Sequence, residues 1–241
     1  MLASREANVL KNNLALSVAL VTAPSSAFGE LRERPRFWFP LLLLVASTAA
    51  IVYWYYSIVD IEWFKDTMYG NNPDFQKLPE AERGGAMAML GRNTLLWGAV
   101  ISTIFVMPIF MLLQALYLLL AAKVTKLPQG FKHWFALGSW SALPMLLSTV
   151  VAALLLMISD TPQVSPSTMQ PFSINELLLH RPMGSAGHAL LESLSIPSVL
   201  SWILMIIGVR TWSQRSWAFS AIFILLPIGV IYGIWAAFAF R

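Results

Sequence analysis

Five long apolar runs, separated by polar loops, decide most of what this chain can fold into. They are Phe37–Ile58, Thr94–Ala122, Phe135–Ile158, Leu194–Val209 and Trp217–Phe240. A helix needs about 20 apolar residues to cross the hydrocarbon of a bilayer. Four runs reach that length and the fourth in order is a little short. None of the five contains Asp, Glu, Lys, Arg or His. Backbone amides in lipid must be satisfied internally, which leaves helices or a closed barrel. Continuous runs, rather than alternation with a period of two, choose helices. The expected fold is all-α: a polytopic bundle of five transmembrane helices with an amphipathic juxtamembrane helix before it.

Composition agrees. A hydrophobic content of 57%, a charged content of 12% and a mean hydropathy of +0.66 exclude an ordinary soluble domain. The net charge of +4 is spent on topology rather than on a soluble anionic partner, so no nucleic-acid partner is expected. With residues 1–36 in the cytoplasm, that side holds Arg5, Lys11, Arg32, Arg34, Arg36, Lys123, Lys126, Lys132, Arg210 and Arg215. The other side holds Lys65, Lys77, Arg83, Arg92, Arg181 and Arg241, a split of 10 against 6. The positive-inside bias therefore places the N-terminus in the cytoplasm and the C-terminus outside. No cysteine is present, which excludes disulfides, thiolate nucleophiles and thiolate metal sites.

The organisation reads as a cytoplasmic arm, residues 1–36, joined to a transmembrane domain, residues 37–241. In the arm, Arg5 and Lys11 followed by Leu14–Thr22 and Ser25-Ser26-Ala27 have the outline of a signal peptide. Cleavage would put Arg32, Arg34 and Arg36 on the wrong face, so an arm lying along the membrane or packed under the bundle is expected instead. Tyr53-Trp54-Tyr55-Tyr56 reads as an interfacial anchor. In the first outer loop, Gly70-Asn71-Asn72-Pro73 is a turn signal and Leu78-Pro79-Glu80 a helix start. In the second, Ser173-Ile174-Asn175-Glu176 is a capping box that predicts a short amphipathic helix through about His180.

Chemistry is sparse. The spans offer only Ser, Thr, Gln and aromatic groups, which disfavours proton-coupled transport. Phosphate-binding loops, dinucleotide fingerprints and nucleophile elbows are absent, so no catalytic residue, cofactor or enzymatic activity is expected. Glu176 with His180, and His188 with Glu192, have a spacing of four that would put each pair on one helix face. Pro182, Gly184 and Gly187 intervene, and exposed loop residues explain the same letters, so no metal is expected there. His133, between Lys132 and Trp134, reads as a headgroup contact. Gln114 reads as an interhelical hydrogen-bonding group rather than a transport residue. Gly229, Gly233 and Ala237 form a small-residue stripe, expected to pack internally in preference to dimerising.

Three blocks carry a resemblance to a known family. The first is Ala23-Pro24-Ser25-Ser26-Ala27-Phe28 through Arg34-Pro35-Arg36-Phe37. The second is Gly130-Phe131-Lys132 followed by Ser139-Trp140-Ser141-Ala142-Leu143-Pro144. The third is Phe172-Ser173-Ile174-Asn175-Glu176-Leu177, then Trp202 through Val209. In order and spacing they resemble the Yip family, membrane proteins named for interacting with Ypt/Rab GTPases, in its bacterial branch. Pro24, Phe28, Phe131, Lys132, Ser141 and Pro144 are the positions that match. The resemblance implies five spans, a cytoplasmic N-terminus and no catalytic residues. It also implies membrane-traffic roles in eukaryotes and, for some bacterial relatives, accessory service to MacAB-type ABC exporters.

The combined expectation is a non-enzymatic scaffold or modulator of a bacterial inner membrane. Its partners would be membrane lipids and other membrane subunits, ABC transporter components among them. Contact would run through Arg32, Arg34, Arg36, Lys123, Lys126, Lys132 and the stripe of the fifth span. Two alternatives are a stand-alone lipid-handling or pore-forming protein, for which proline in or beside every span (Pro40, Pro108, Pro144, Pro197, Pro227) permits kinks, and a trafficking-type factor by family analogy.

Overall fold

The computed structural model describes residues 2–70 and 73–240, with side chains from 12–70 and 75–240. The turn expected at Gly70–Pro73 and the side chains of Arg5, Lys11 and Arg241 lie outside that description.

The chain is an all-α polytopic membrane protein. Twelve α-helices are described: α1 (Leu2–Thr22), α2 (Pro24–Glu33), α3 (Trp38–Ile58), α4 (Ile61–Gly70), α5 (Pro73–Gln76), α6 (Glu80–Met89), α7 (Arg92–Val124), α8 (Phe131–Ser141), α9 (Leu146–Met157), α10 (His188–Ser193), α11 (Ile196–Ser213) and α12 (Trp217–Ala239). Among the described residues, five stretches are long and apolar enough to cross a membrane: α3, α7, α8 with α9, α11 and α12. The fourth span begins at Ile196 and runs to Ser213, later at both ends than the hydropathy indicates, because polar Arg210–Ser213 continue the helix. The third span is interrupted. Pro144 lacks an amide hydrogen, and the chain makes a 3₁₀ turn over Leu143–Met145 between α8 and α9. Pro108 and Pro227 are carried inside continuous helices.

The chain divides into two compact units. The first comprises Met1–Leu44, Pro108–Pro144 and Leu200–Gly229. Its core is aromatic: Trp134, Trp140 and Phe28 are fully buried beside Trp212 and Phe223. The ring centroid of Trp134 lies 5.5 Å from that of Trp212 and 5.5 Å from that of Phe223. Lipid tails are as apolar as these side chains, so helix association here depends on close packing and hydrogen bonds rather than on escape from water.

The second unit comprises Val45–Met107, Met145–Val199 and Val230–Arg241. Its core joins Ile51, Tyr55 and Val59 of α3 and its end to Phe64 of α4, Leu156 of α9 and Val164. Tyr55 is fully buried and its hydroxyl donates to the carbonyl of Val164 at 2.8 Å. The aromatic run at the end of α3 is therefore only in part an interfacial anchor. Tyr53 is exposed, whereas Tyr55 ties the loop after the third span to the first span. Asp60 begins α4, its carboxylate accepting from the amides of Glu62 and Trp63. Arg92 donates to the carbonyls of Tyr56, Ser57 and Val59 at 2.7–2.9 Å, closing the C-terminal end of α3. Among the described residues there is no strand, only an isolated antiparallel bridge between Ser173 and Ser195.

Candidate functional site: an arm held by ring donors

The arm is fastened to the spans of the first unit through three main-chain carbonyls spaced four residues apart. Trp212 of α11 donates its indole N–H to the carbonyl of Phe28 at 2.7 Å. His133 of α8 contacts the carbonyl of Arg32 through Nε2 at 3.2 Å. Trp140 of α8 donates to the carbonyl of Arg36 at 2.5 Å. A carbonyl can only accept, so His133 carries its hydrogen on Nε2 in this contact. His133 and Trp140 are seven residues apart, two turns of α8, and so share one face. The carbonyl of Arg32 lies in the last turn of α2, where it has no intrahelical partner, and His133 supplies one.

Local sequence explains why α2 sits there. Pro24 occupies its first turn, where a missing amide costs nothing. Ala27, Phe28 and Leu31 fall three and four apart and are its buried residues. Gly208 of α11 allows the closest approach: a Cβ there would collide with Leu137 of α8 and with the ring of Phe28. Gln114 of α7 is placed among α8 and α11, with Nε2 3.7 Å from the sulfur of Met205 and its Oε1 against Gly138.

The cations sort into two kinds. Arg36 is half-buried and ion-paired to Glu30, so its charge is neutralised locally. Arg32, Arg34, Lys123, Lys126, Lys132 and Arg215 are exposed. Arg215 donates to the carbonyl of Thr125 at 2.6 Å, joining the turn after α11 to the turn after α7. Lys126 ends α7 in a left-handed conformation, φ 59°. The amide of Leu127 reaches the carbonyl of Ala122 at 2.8 Å and that of Lys126 reaches Lys123 at 3.2 Å. That hydrogen-bond pair is a Schellman motif, in which glycine ordinarily fills the position Lys126 holds.

Other residues singled out by sequence are placed as follows. Phe131 begins α8 and stacks on Phe135, centroids 5.9 Å apart. Ser141 is the fully buried last residue of α8, and Pro144 lies in the 3₁₀ turn. In place of the headgroup contact that its neighbours Lys132 and Trp134 suggest, His133 engages the arm and lies edge-on to Trp212. Among the described residues, nothing packs on Gly229 or Gly233. A Cβ on either would meet nothing within 4 Å, because α12 buries Ser220, Phe223 and Ile224 instead. Ala237 is exposed as well.

In the second unit the expected outer helix through His180 is a single π turn, Asn175–Leu179, that stops where His180 takes φ 51°. Of the capping box one half forms: Ser173 Oγ accepts from the amide of Glu176 at 3.1 Å, while the Ser173 amide donates to the carbonyl of Gln170 and not to Glu176. Glu176 and His180 are exposed, while His188 is buried with Nε2 3.5 Å from Glu192. Among the described residues no three His, Cys, Asp or Glu side chains converge as metal ligands would. Asn175 does what sequence reasoning missed. Its Oδ1 accepts from the amide of Arg181 at 3.0 Å, and its Nδ2 lies 3.3 Å from the Arg181 carbonyl and 3.3 Å from His188 Nδ1. Arg181 in turn lies over the ring of Phe240, 5.4 Å from its centroid, and Gly187 approaches the same ring closely.

The three blocks of sequence that carry the family resemblance build α2 and the chain leading to α3, α8 with the 3₁₀ turn after it, and the π turn at Asn175 together with part of α11. No curated protein and no solved structure matches the chain. A family model described as the Yip1 domain matches residues 18–238, from within α1 to the end of α12. With that match spanning nearly its whole length, the chain belongs to the Yip1 domain family.

Proposed function

We propose that this protein is a non-enzymatic scaffold or modulator subunit of a bacterial inner membrane, accessory to a MacAB-type ABC efflux or envelope-transport complex. In this reading residues 1–36 are a cytoplasmic arm on a five-span domain, with the C-terminus outside. The observation that carries it is the contrast between the spans and the platform formed by α2 with the turns after α7 and α11, which carries the exposed cations. The Lys, Arg and His residues of the spanning helices, Arg92, Lys123, Lys132, His133 and Arg210, all sit in first or last turns, and these helices contain no Asp or Glu. The membrane interior therefore has no group to bind a proton or coupling ion. The platform, by contrast, holds its carbonyls rigidly and turns six cations outward. Such a surface suits contact with an acidic partner or headgroup, not turnover. The ABC exporter as partner rests on the family resemblance, and the open face at Gly229 and Gly233 gives a second surface for a neighbouring helix.

Isolation of the tagged protein from its own membranes in mild detergent tests this. The expected result is reproducible co-recovery of ABC transporter subunits in near-constant ratio, reduced about tenfold when Arg32, Lys126 and Lys132 are changed to Glu. Repeated recovery of the chain by itself overturns the reading.

A further inference from the structure

Over its described side chains, 12–22, helix α1 has two apolar stretches of surface, and the described residues cover one of them. It packs along α2 and buries Asn13, Leu16 and Leu20, spaced three and four apart, with Leu16 and Leu20 each 2% exposed. A second stripe, Leu14, Val18 and Val21, has the same spacing and is 58%, 63% and 84% exposed. The polar side chains beside it are turned back onto the helix: Ser17 Oγ donates to the Asn13 carbonyl at 3.0 Å and Thr22 Oγ1 to the Val18 carbonyl at 3.1 Å. The stripe thus offers no unsatisfied hydroxyl to an apolar surrounding.

The apolar part of α1, Asn12–Thr22, is about 16 Å long at 1.5 Å per residue. That is about half of the hydrocarbon thickness, so it cannot cross a bilayer. It can lie in the interface. Its position is set by α2, which Trp212 of α11 and His133 of α8 hold, while Trp140 of α8 holds the chain just beyond α2 at Arg36. Exposed cations close the argument: Arg32 and Arg34 stand at the end of α2, and the nearby Arg36 is already neutralised by Glu30. An exposed apolar stripe on one helix, with exposed arginines flanking Glu33 at the end of the helix packed against it, has the composition of an element that binds anionic lipid surfaces.

We infer that the Leu14–Val18–Val21 stripe inserts at the headgroup–acyl boundary of an anionic phospholipid leaflet, with Arg32 and Arg34 holding lipid phosphate. The insertion makes the arm a lipid-reading element of this protein. It goes beyond the scaffold reading and stands or falls without it, because it needs no partner subunit.

The natural chain has no cysteine, so a single one can be placed and labelled cleanly. Full-length Val18→Cys and Asn12→Cys proteins, each carrying an environment-sensitive fluorophore, are reconstituted into vesicles of phosphatidylcholine alone or mixed with phosphatidylglycerol. Asn12 is exposed on a different side of α1 and serves as the reference. Doxyl-labelled lipid should quench the probe at position 18 about threefold more strongly than at position 12, and aqueous iodide should show the reverse preference. The lipid quenching should rise with phosphatidylglycerol, and Arg32→Gln with Arg34→Gln, both exposed positions, should abolish that rise. Iodide reaching both positions equally, with no lipid quenching, overturns the inference. Protection from iodide and lipid together also overturns it, since a second copy or another segment would then cover the stripe. Equal quenching in both vesicle types overturns the anionic selectivity and, with it, the proposal.

Discussion

Trp212 donates its indole hydrogen to the carbonyl of Phe28 at 2.7 Å, across 184 positions of sequence. The same indole meets the Phe28 ring edge-on, with centroids 6.4 Å apart. One side chain near the end of the fourth span therefore holds both the backbone and the ring of an arm residue. This contact makes the arm part of a packed unit.

Replacement of Trp212 by Phe keeps most of the ring and removes the donor. The Phe28 carbonyl, in a buried setting, loses that partner, at a cost of about 1–3 kcal/mol. Thermal unfolding in detergent should fall by several degrees, and limited trypsin digestion after Arg32 should accelerate. An unchanged cleavage rate would show that the arm is held some other way.

Two glycines of the spanning helices should respond in opposite directions to the same change. Gly208→Ala puts a methyl against Leu137 and Phe28, both fully buried, and should destabilise by about 1–3 kcal/mol despite alanine's better helix propensity. Gly229→Ala meets open space and should be neutral, or stabilising by up to about 1 kcal/mol. Unfolding curves of the two purified variants decide this; equal effects would contradict the packing described.

Lys126 holds a left-handed conformation that glycine adopts without steric cost. Lys126→Gly should therefore stabilise the folded protein by up to about 1 kcal/mol, while removing one cation of the exposed platform. A more stable variant that recovers less of its partner complex is the expected outcome of parallel melting and co-isolation. Loss of stability would mean that the lysine side chain itself holds the turn.

In the loop between the third and fourth spans, Asn175→Ala removes the side chain that brackets the Arg181 backbone and contacts His188. A cost of about 1–3 kcal/mol is expected, with faster hydrogen exchange over 180–190. Exchange that stays at the native rate would show that Arg181 and Phe240 suffice to hold this loop.

The fold is legible in the sequence because lipid imposes a coarse rule: long uncharged runs must be helices, and such runs are visible letter by letter. The arm's cap is legible too, since Pro24 and the spacing of Ala27, Phe28 and Leu31 are local signals. The donors that fasten the arm are not. A tryptophan near a span end has the same letters whether it faces headgroups or a carbonyl 184 residues away, and Trp212 and Trp140 are of this kind. Asn175 was masked by its own capping box, which explains the stretch locally and hides its long-range bonds. The stripe at Gly229 and Gly233 shows the reverse limit. Spacing establishes that a flat face exists, but only the neighbours decide whether it is filled, and here nothing lies within 4 Å.

The account depends on a protein that works by contact, because its spans have no charge-bearing group at depth. Purified protein in proteoliposomes, assayed for proton and ion flux and for movement of labelled lipid between leaflets, tests this most directly. The expected result is a rate equal to that of protein-free vesicles under a pH gradient or a membrane potential. A rate that rises with the amount of protein and saturates with solute would contradict it.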